Sequence, residues 1–157
     1  MNVTIRAVKE SDFPSLSEIY CKSYNPLNIG ERWTSEKAMD LLKWLYDKQP
    51  DLFFVACDGE KVIGAISALT KPWWDGVHLA DGELFVDPLY QGKSVGKHLI
   101  RRLFTEAQKK YQAVSWDTIT HIVHEHPLKW YKKIGFEVIG HWCLITGDIK
   151  KVLLRLQ

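Results

Sequence analysis

The stretch Glu83–Ile100, ELFVDPLYQGKSVGKHLI, joins a strand-like segment to a helix-like segment through a glycine-rich turn. Pro88 ends the strand pattern, because proline lacks the N–H group that a strand ladder needs. Gly92 and Gly96 lie at the start of a helix that the pattern predicts from about Ser94 to Tyr111. A helix begins with unpaired N–H groups and the positive end of its dipole, and nearby glycines let a ligand approach them. The turn therefore predicts an anion site suited to phosphate groups.

Gly92-Lys93-Ser94 also matches part of the Walker A loop, which binds nucleoside triphosphates. That loop needs a glycine five positions before Gly92, where this chain has Asp87. A carboxylate at that position would repel phosphate, and the loop is too short to wrap a β-phosphate. For this motif alone, a turn that merely joins a strand to a helix stays open as the other alternative.

Length and composition predict one globular domain over residues 1–157. Hydrophobic residues make up 46% of the chain and charged residues 25%, which is not a disordered composition. The net charge of +2 is too small to argue for nucleic acid, and no apolar run reaches the ~20 residues of a membrane helix. Three separated cysteines and an N-terminus without an apolar core favour a cytoplasmic protein. We expect neither a nucleic acid nor a membrane as partner.

The hydrophobic pattern predicts an α/β fold with the element order β-α-α-β-β-β-α-β-α-β-β. Strands alternate with helices in the second half and form hairpins in the middle, which favours a mixed sheet with helices on both faces. Asp58-Gly59 is a hairpin signal, and Pro127 and Gly135 bracket a short helix. The last strands are predicted at 114–123, 136–142 and 150–156.

A second cluster, HEHPLKWYKKIGF from His124 to Phe136, follows the glycine-rich turn along the chain. The turn reads QGKSVG from Gln91 to Gly96, and the cluster ends in YKKIGF from Tyr131 to Phe136. The pair resembles the Q/R-x-x-G-x-G/A signature and the YEKLGF helix ending of the GNAT superfamily of acetyl-CoA-dependent N-acetyltransferases. The resemblance covers nearly the whole chain, because the order of strands and helices also fits. It implies a single-domain GNAT-like fold, with a mixed, mostly antiparallel sheet of six to seven strands and about four helices.

The chain departs from this family at Ser94, where the signature has its central glycine. Serine is a good helix N-cap, so its hydroxyl is expected to cap the helix or to touch phosphate. The departure bears on how closely the turn approaches a pyrophosphate, but it leaves the backbone N–H groups from Gly92 to Lys97 in place.

The resemblance implies acetyl-CoA as cosubstrate and no metal. The strand before the turn is expected to hold the extended pantetheine arm, with the Leu84 N–H polarising the thioester carbonyl. The turn amides and the helix dipole are expected to hold the pyrophosphate, with added positive charge from Lys93, Lys97 and Arg101. The implied cofactor-binding residues are Leu84, Phe85, Val86, Gln91, Gly92, Lys93, Ser94, Val95, Gly96 and Lys97.

The implied reaction is direct attack of a primary amine on the thioester, which needs an acid and a base. By family position Tyr131 is the acid, because a tyrosine of pKa near ~10 can protonate a thiolate whose conjugate acid has a pKa near ~8.5. An alkylamine of pKa about 10.4 must also lose a proton before it attacks. Glu83 and Asp81 lie on the right strand for this task. We predict Glu83 as the base, and a strand bulge would decide which of the two faces the cleft.

His121, His124 and His126 are candidates for metal ligands, but in a strand only His124 and His126 share a face. Without a further ligand cluster of defined spacing, we predict no metal site.

The acceptor is expected to be a small-molecule or peptide amine. HEHPLKWYKKIGF with the later Gly147-Asp148-Ile149 is similar to one branch of aminoglycoside 6′-N-acetyltransferases. Polyamines, protein N-termini, lysines and small amines stay open as acceptors. A coenzyme-A-binding regulator without turnover is the alternative from another class, favoured by Ser94 and disfavoured by Tyr131 and Glu83. A homodimer is a further expectation from the family.

Overall fold

The structure, a computed structural model, describes residues 2–156. Internal packing divides the chain into two compact units, one ending at Ile119 and one beginning at Thr120, and each is described by itself. The expectation of one domain over residues 1–157 stays a prediction. Within the described residues, no helix is both long enough and apolar enough to cross a lipid bilayer.

The first unit is built on a five-stranded sheet. Its strands are β1 (Val3–Ala7), β2 (Phe53–Asp58), β3 (Lys61–Trp73), β4 (Gly76–Val86) and β5 (Ser115–Trp116). They lie side by side in chain order; the first three pairings are antiparallel, and β4 and β5 are parallel. The α/β class and the mixed, mostly antiparallel sheet are thereby confirmed. The expected six to seven strands are corrected to five within residues 2–156.

Helices cover both faces of this sheet. They are α1 (Phe13–Tyr24), α2 (Ser35–Lys48) and α3 (Val95–Tyr111). Apolar side chains of α1 and α2 share one core with Val55, Ala65 and Phe85 of the sheet. The guanidinium carbon of Arg102 in α3 lies 5.1 Å from the ring centre of Phe54. Because Phe54 and Val55 are neighbours in β2 and point to opposite faces, α3 covers the face opposite α1 and α2.

The helix α3 follows the predicted pattern. Its expected apolar stripe is at most 1% exposed at Val95, Leu99, Leu103 and Ala107. The helix begins one residue after the predicted start, with Ser94 as its N-cap. Burial of the stripe fixes α3 on the sheet, and this also fixes the glycine-rich turn that precedes it.

The second unit contains α4 (Glu125–Lys133) and α5 (Ile149–Arg155), and residues 120–156 include no strand. The strands predicted at 136–142 and 150–156 are therefore wrong. For the last segment, the reason is Asp148, whose carboxylate accepts a hydrogen bond from the Lys151 N–H at 3.0 Å. Such a cap satisfies a first-turn donor and favours a helix over a strand.

For the segments on either side of the boundary between the units, the predictions from the sequence are confirmed only in part. The strand predicted at 114–123 is reduced to the two residues of β5. The short helix predicted between Pro127 and Gly135 is confirmed as α4. His126 has extended backbone angles (φ −88°, ψ 132°), so the regular part of this helix begins at Pro127. In all, residues 2–156 contain five α-helices, where about four were expected.

Candidate active site

Strand β4 carries a bulge near its middle. Ser67 and Leu69 of β3 pair with Glu83 and Ala80 of β4. One residue separates Ser67 from Leu69, whereas two residues, Asp81 and Gly82, separate their partners. Asp81 adopts the left-handed conformation, with φ of +46°. A Cβ built on Gly82 would lie 2.6 Å from the Ser67 carbonyl oxygen and 2.8 Å from the ring of Trp116. The close approach of these neighbours therefore requires glycine at position 82.

The bulge separates the two candidate bases. Asp81 is exposed, whereas the half-buried Glu83 accepts a hydrogen bond from the Tyr24 hydroxyl at 2.8 Å, and the buried Tyr20 lies close to it. Burial raises the pKa of the Glu83 carboxyl, and the hydroxyls of Tyr24 and Tyr20 oppose this rise only in part. The structure thus directs Glu83 toward α1, whereas the Asp81 side chain is exposed, and the role of Glu83 as a base stays a prediction.

The C-terminal half of β4 has an open edge within the first unit. β5 pairs with β4 at His78 and Leu79, and the Asp117 N–H donates to the Leu79 carbonyl at 2.9 Å. Residues 80–86 then have β3 on one side and no strand of residues 2–119 on the other. An extended ligand can bind such an edge in the way that an added strand does.

The register of β3 and β4 shows which backbone groups face this open edge. The Asp87 N–H donates to the Ile63 carbonyl at 2.9 Å, so these two residues form a hydrogen-bonded pair. Pairs alternate along an antiparallel ladder, so the backbone groups of Phe85 face β3, whereas those of Leu84 and Val86 face away from it.

The Val86 carbonyl already has two side-chain donors. It accepts from the Ser23 hydroxyl at 3.1 Å and from the Gln91 amide nitrogen at 3.0 Å. Gln91 thus folds back onto the end of β4 and shapes the turn. Leu84 likewise orients its N–H and carbonyl toward the open edge.

Two left-handed residues form the turn between β4 and α3. Gly92 has φ of +73° and Ser94 has φ of +64°. A Cβ built on Gly92 would meet no atom within 4 Å, so this side of the turn is open. Asp87 starts the turn, where its buried carboxylate accepts from the Leu89 N–H at 2.9 Å. Asp87 is therefore occupied as the cap of the turn.

The hydroxyl of Ser94 does not cap α3, which corrects the expectation from its residue type. A left-handed backbone costs a residue with a Cβ about 1–2 kcal/mol. Ser94 therefore adopts a backbone conformation that favours glycine, and this lowers the stability of the turn. The N–H groups of Val95, Gly96 and Lys97 lie in the first helical turn, where no earlier carbonyl can accept from them. These donors can bind an anion.

The charges around the turn also favour an anion. The first turn of α3 contains no acidic residue. Lys93 before the helix, Lys97 in its first turn and Arg101 in its second turn are exposed. Amino groups of Lys61 and Lys93 lie 5.0 Å and 5.2 Å from the ring centre of Tyr90. The predicted cofactor residues of strand and turn are thus brought together at one end of β4.

Tyr131 lies on α4 in the second unit. Its ring packs edge-on against Trp130 at 5.1 Å and Phe136 at 5.0 Å between ring centres. The Phe136 N–H donates to the Tyr131 carbonyl at 3.0 Å and closes the chain after the helix. The second sequence cluster is thus a local packing unit around Tyr131, whose role as an acid stays a prediction.

Three of the four histidines in the second unit, His121, His124 and His126, lie near one another. The ring centres of His121 and His124 are 5.5 Å apart. Burial lowers the pKa of His121, and His124 and His126 lower it further. Within residues 2–156, no three His, Cys, Asp or Glu side chains are grouped so as to hold a metal ion.

Four residues near Glu83 were not predicted as site residues. Tyr20 and Tyr24 are four apart on α1, so the helical period could have placed them on one face. Glu31 and Trp33 lie in a segment that the sequence marks only as a loop, and no pattern singles them out.

Comparisons with known proteins agree on one family. A sequence profile described as an acetyltransferase (GNAT) domain matches residues 49–138. An uncharacterized N-acetyltransferase from Methanocaldococcus jannaschii is 27% identical over 153 residues, which cover 93% of this chain and 67% of that protein.

Solved structures share the fold. PaiA N-acetyltransferase from Thermoplasma acidophilum, in complex with coenzyme A, has a TM-score of 0.69 at 22% identity, covering 88% of this chain and 91% of that chain. A transcriptional regulator from Bacillus halodurans C-125 has a TM-score of 0.73 at 17% identity, covering 94% of this chain and 100% of that chain. Because the profile matches more than half of the sequence, the chain belongs to the GNAT acetyltransferase family and is an acyltransferase.

Proposed function

We propose that the protein is an N-acetyltransferase that transfers the acetyl group of acetyl-CoA to a primary amine by direct attack in a ternary complex. The observation that carries the proposal is the layout of β4. This strand presents a half-buried carboxylate at Glu83 and an open backbone edge at Leu84, and then enters an anion-binding turn at Gly92. Along this strand, Glu83 could accept a proton and the Leu84 backbone could bind an extended arm, and the turn that follows could bind a pyrophosphate.

Coenzyme A fits the chain at two places. The N–H groups from Gly92 to Lys97 would hold the pyrophosphate, supported by the open side of Gly92 and by the lack of acidic residues in the first turn of α3. The backbone of Leu84 would hold the pantetheine arm at the open edge. When bound, acetyl-CoA supplies a thioester, whose carbonyl the Leu84 N–H would polarise.

Glu83 is the proposed general base. An ammonium group cannot attack, so it must first give a proton to the carboxylate. A carboxyl with a raised pKa accepts that proton more readily near neutral pH. The hydrogen bond from Tyr24 holds one carboxylate oxygen in place.

Tyr131 is the proposed general acid. As the bond between amine nitrogen and acetyl carbon forms, the bond from that carbon to sulfur breaks, and the Tyr131 hydroxyl would give the sulfur its proton. The half-buried ring is fixed on α4 by Trp130 and Phe136.

A coenzyme-A-binding regulator without turnover is the second candidate. The observation that favours it is Ser94, which has a left-handed backbone at the position of the signature glycine. A strained turn can be retained for binding alone, whereas the half-buried carboxylate of Glu83 has no task in a protein that only binds.

The test is thiol release from acetyl-CoA in the presence of a panel of amines, including diamines, aminoglycosides and peptides. The proposal expects amine-dependent turnover that falls by about 10² or more in Tyr131→Phe, while acetyl-CoA affinity stays the same. Tyr46→Phe is the matched control, since Tyr46 packs against Phe13 at 5.5 Å in the core. Binding of acetyl-CoA without turnover on any amine would favour the regulator instead. An unchanged rate in Tyr131→Phe would remove Tyr131 as the acid.

A further inference from the structure

Ser67 of β3 has a buried hydroxyl that the rest of the described chain does not satisfy. The residue is 2% exposed, and its Oγ atom has no hydrogen-bond partner among residues 2–156. Buried side-chain hydroxyls are in most cases hydrogen-bonded, either to the protein or to an internal water molecule. The other buried serine of these residues, Ser17, follows this rule, since its hydroxyl donates to the Pro14 carbonyl at 2.9 Å. Ser67 therefore requires a partner from outside the protein chain.

Ser67 lies in the middle of a row of three facing residues. Phe53 of β2 pairs with it on one side, and Glu83 of β4 pairs with it on the other. Facing residues of neighbouring antiparallel strands point their side chains to the same face of a sheet. Phe53 packs against Phe13 of α1 at 6.2 Å between ring centres, and Glu83 accepts from Tyr24 of α1, so the row lies on the α1 face. Because the phenyl ring is apolar, Glu83 is the polar neighbour of the Ser67 hydroxyl in this row.

The spacing of the two strands suits one water molecule between Ser67 and Glu83. Cβ atoms of facing residues lie about 4.5–5.5 Å apart, yet the two side chains share no direct hydrogen bond. A bridging water is nearly as favourable as a direct hydrogen bond, and an internal water needs about two to four polar partners. The Ser67 hydroxyl and the Glu83 carboxylate are such partners, and the hydroxyl of the buried Tyr20, close to the same carboxylate, offers a third.

We propose that Ser67 is a positioning residue for the base: its hydroxyl donates to an internal water molecule, which in turn donates to the Glu83 carboxylate. The inference rests on the proposed function and adds a residue of β3 to its machinery. Tyr24 holds one carboxylate oxygen from α1, and the water holds the carboxylate from β3. A carboxylate can accept up to about four hydrogen bonds, so both donors can bind at once. The base is thereby fixed between helix and sheet.

The groups that face Glu83 determine how this contact can be measured. Burial has the largest effect and raises the pKa of the carboxyl, the hydroxyls of Tyr24 and Tyr20 on α1 lower it, and the charge of Glu31 in the loop before α2 raises it. Among residues 2–156, no Lys, Arg or His side chain forms an ion pair with Glu83. A donated hydrogen bond favours the ionised carboxylate, so loss of the Ser67 hydroxyl should raise the pKa further.

The experiment follows the titration of the Glu83 carboxyl by carbon-13 NMR in the unchanged chain, Ser67→Ala and Ser17→Ala, with Glu83→Gln to assign the signal. Ser17→Ala is the matched control, because it removes a buried serine hydroxyl that already has a partner within α1. The pH dependence of kcat/KM with saturating acetyl-CoA is measured for the same three proteins. Urea unfolding of each protein shows what the hydroxyl contributes to stability.

The proposal expects the Glu83 carboxyl to titrate at higher pH in Ser67→Ala and at unchanged pH in Ser17→Ala. The acid limb of kcat/KM should move in the same direction, so that the rate on that limb falls by about threefold or more in Ser67→Ala. An unchanged titration in Ser67→Ala, or an equal shift in Ser17→Ala, would overturn the role of Ser67.

The unfolding data separate a bridged hydroxyl from one that has no partner at all. Removing a buried hydroxyl without a partner relieves a desolvation cost and raises the urea midpoint, whereas removing a hydrogen-bonded one lowers it. A raised midpoint in Ser67→Ala would therefore contradict the proposal.

The NMR titration needs no turnover, so it also keeps this inference apart from the proposed function. If no amine is acetylated, the proposed function fails, and the titration still decides whether Ser67 acts on Glu83. A shifted titration with an unmoved acid limb would support the contact between Ser67 and Glu83 but remove Glu83 as the base.

Discussion

Among single residues, Glu83 has the most direct consequence for activity. Glu83→Gln keeps the shape of the side chain but removes the proton acceptor, so we expect kcat to fall by about 10² or more. Affinity for acetyl-CoA is expected to stay the same, because the cofactor contacts are assigned to Leu84 and the turn. Steady-state kinetics with calorimetric binding separate the two quantities. Asp81→Asn is the control and should keep most of the activity, since Asp81 is exposed.

The pH dependence of the same residue gives a second test. Glu83 acts as a base only when ionised, so kcat/KM should rise with pH through its raised pKa. The Tyr24 hydrogen bond lowers this pKa, so Tyr24→Phe should move the acid limb of the profile to higher pH. A shift of the acid limb to lower pH, or an unchanged acid limb, would show that the observed ionisation is not that of Glu83.

At the scale of secondary structure elements, the bulge in β4 depends on Gly82. A Cβ there would lie 2.6 Å from a backbone oxygen, which cannot move as a flexible side chain can. We expect Gly82→Ala to lower the free energy of unfolding by about 1–3 kcal/mol, measured by urea denaturation. Gly92→Ala is the comparison, since it adds backbone strain but meets no atom within 4 Å, and its loss should be smaller. Equal losses would argue against the tight contact at the bulge.

A histidine between two carboxylates links the start of β4 to neighbouring segments. The buried His78 ring contacts Asp117 at Nδ1 and Asp75 at Nε2, each at 2.8 Å, and Lys71 lies 3.4 Å from Asp117. The hydrogen bond to Asp117 is the main cause of the raised pKa of His78, and Asp75 adds to it. This stabilisation is complete below the unfolded pKa of about 6.5 and is lost as pH rises through the higher folded pKa.

We therefore expect His78→Gln to destabilise the protein more at about pH 6 than at about pH 9, by about 1 kcal/mol, a modest figure because both carboxylates are partly exposed to solvent. Thermal or urea unfolding at both pH values measures it. His98→Gln, on the exposed surface of α3, is the control. A loss that does not depend on pH would show that the ring contributes by packing alone.

The sequence predicts these elements best where a local pattern coincides with burial. The stripe of α3 and the Asp58-Gly59 hairpin can be predicted because helical spacing and turn chemistry are local. The apolar residues at 150–156 favour a strand by pattern alone, but the Asp148 cap outweighs them in α5. Glu83 can be placed on β4, but its direction depends on a bulge that only the pairing with β3 reveals.

On the scale of the whole molecule, the two sequence clusters are sufficient to indicate the family, because each combines a glycine with a helix boundary. The residues around Glu83 cannot be found in this way. Tyr24 donates to Glu83 from α1, and Trp33 packs against Tyr20 from the loop before α2; both segments lie far away along the chain. Long-range packing of this kind has no signature in a single sequence.

The proposed function depends most on the binding of acetyl-CoA by the turn before α3. Isothermal titration of acetyl-CoA into the full chain tests it most directly, with ATP and dephospho-CoA as comparison ligands. We expect acetyl-CoA to bind in the micromolar range, about −8 kcal/mol, and ATP to give no measurable heat. Absence of acetyl-CoA binding, or equal binding of ATP, would contradict the assignment of the turn as a coenzyme A site and with it the acetyltransferase function.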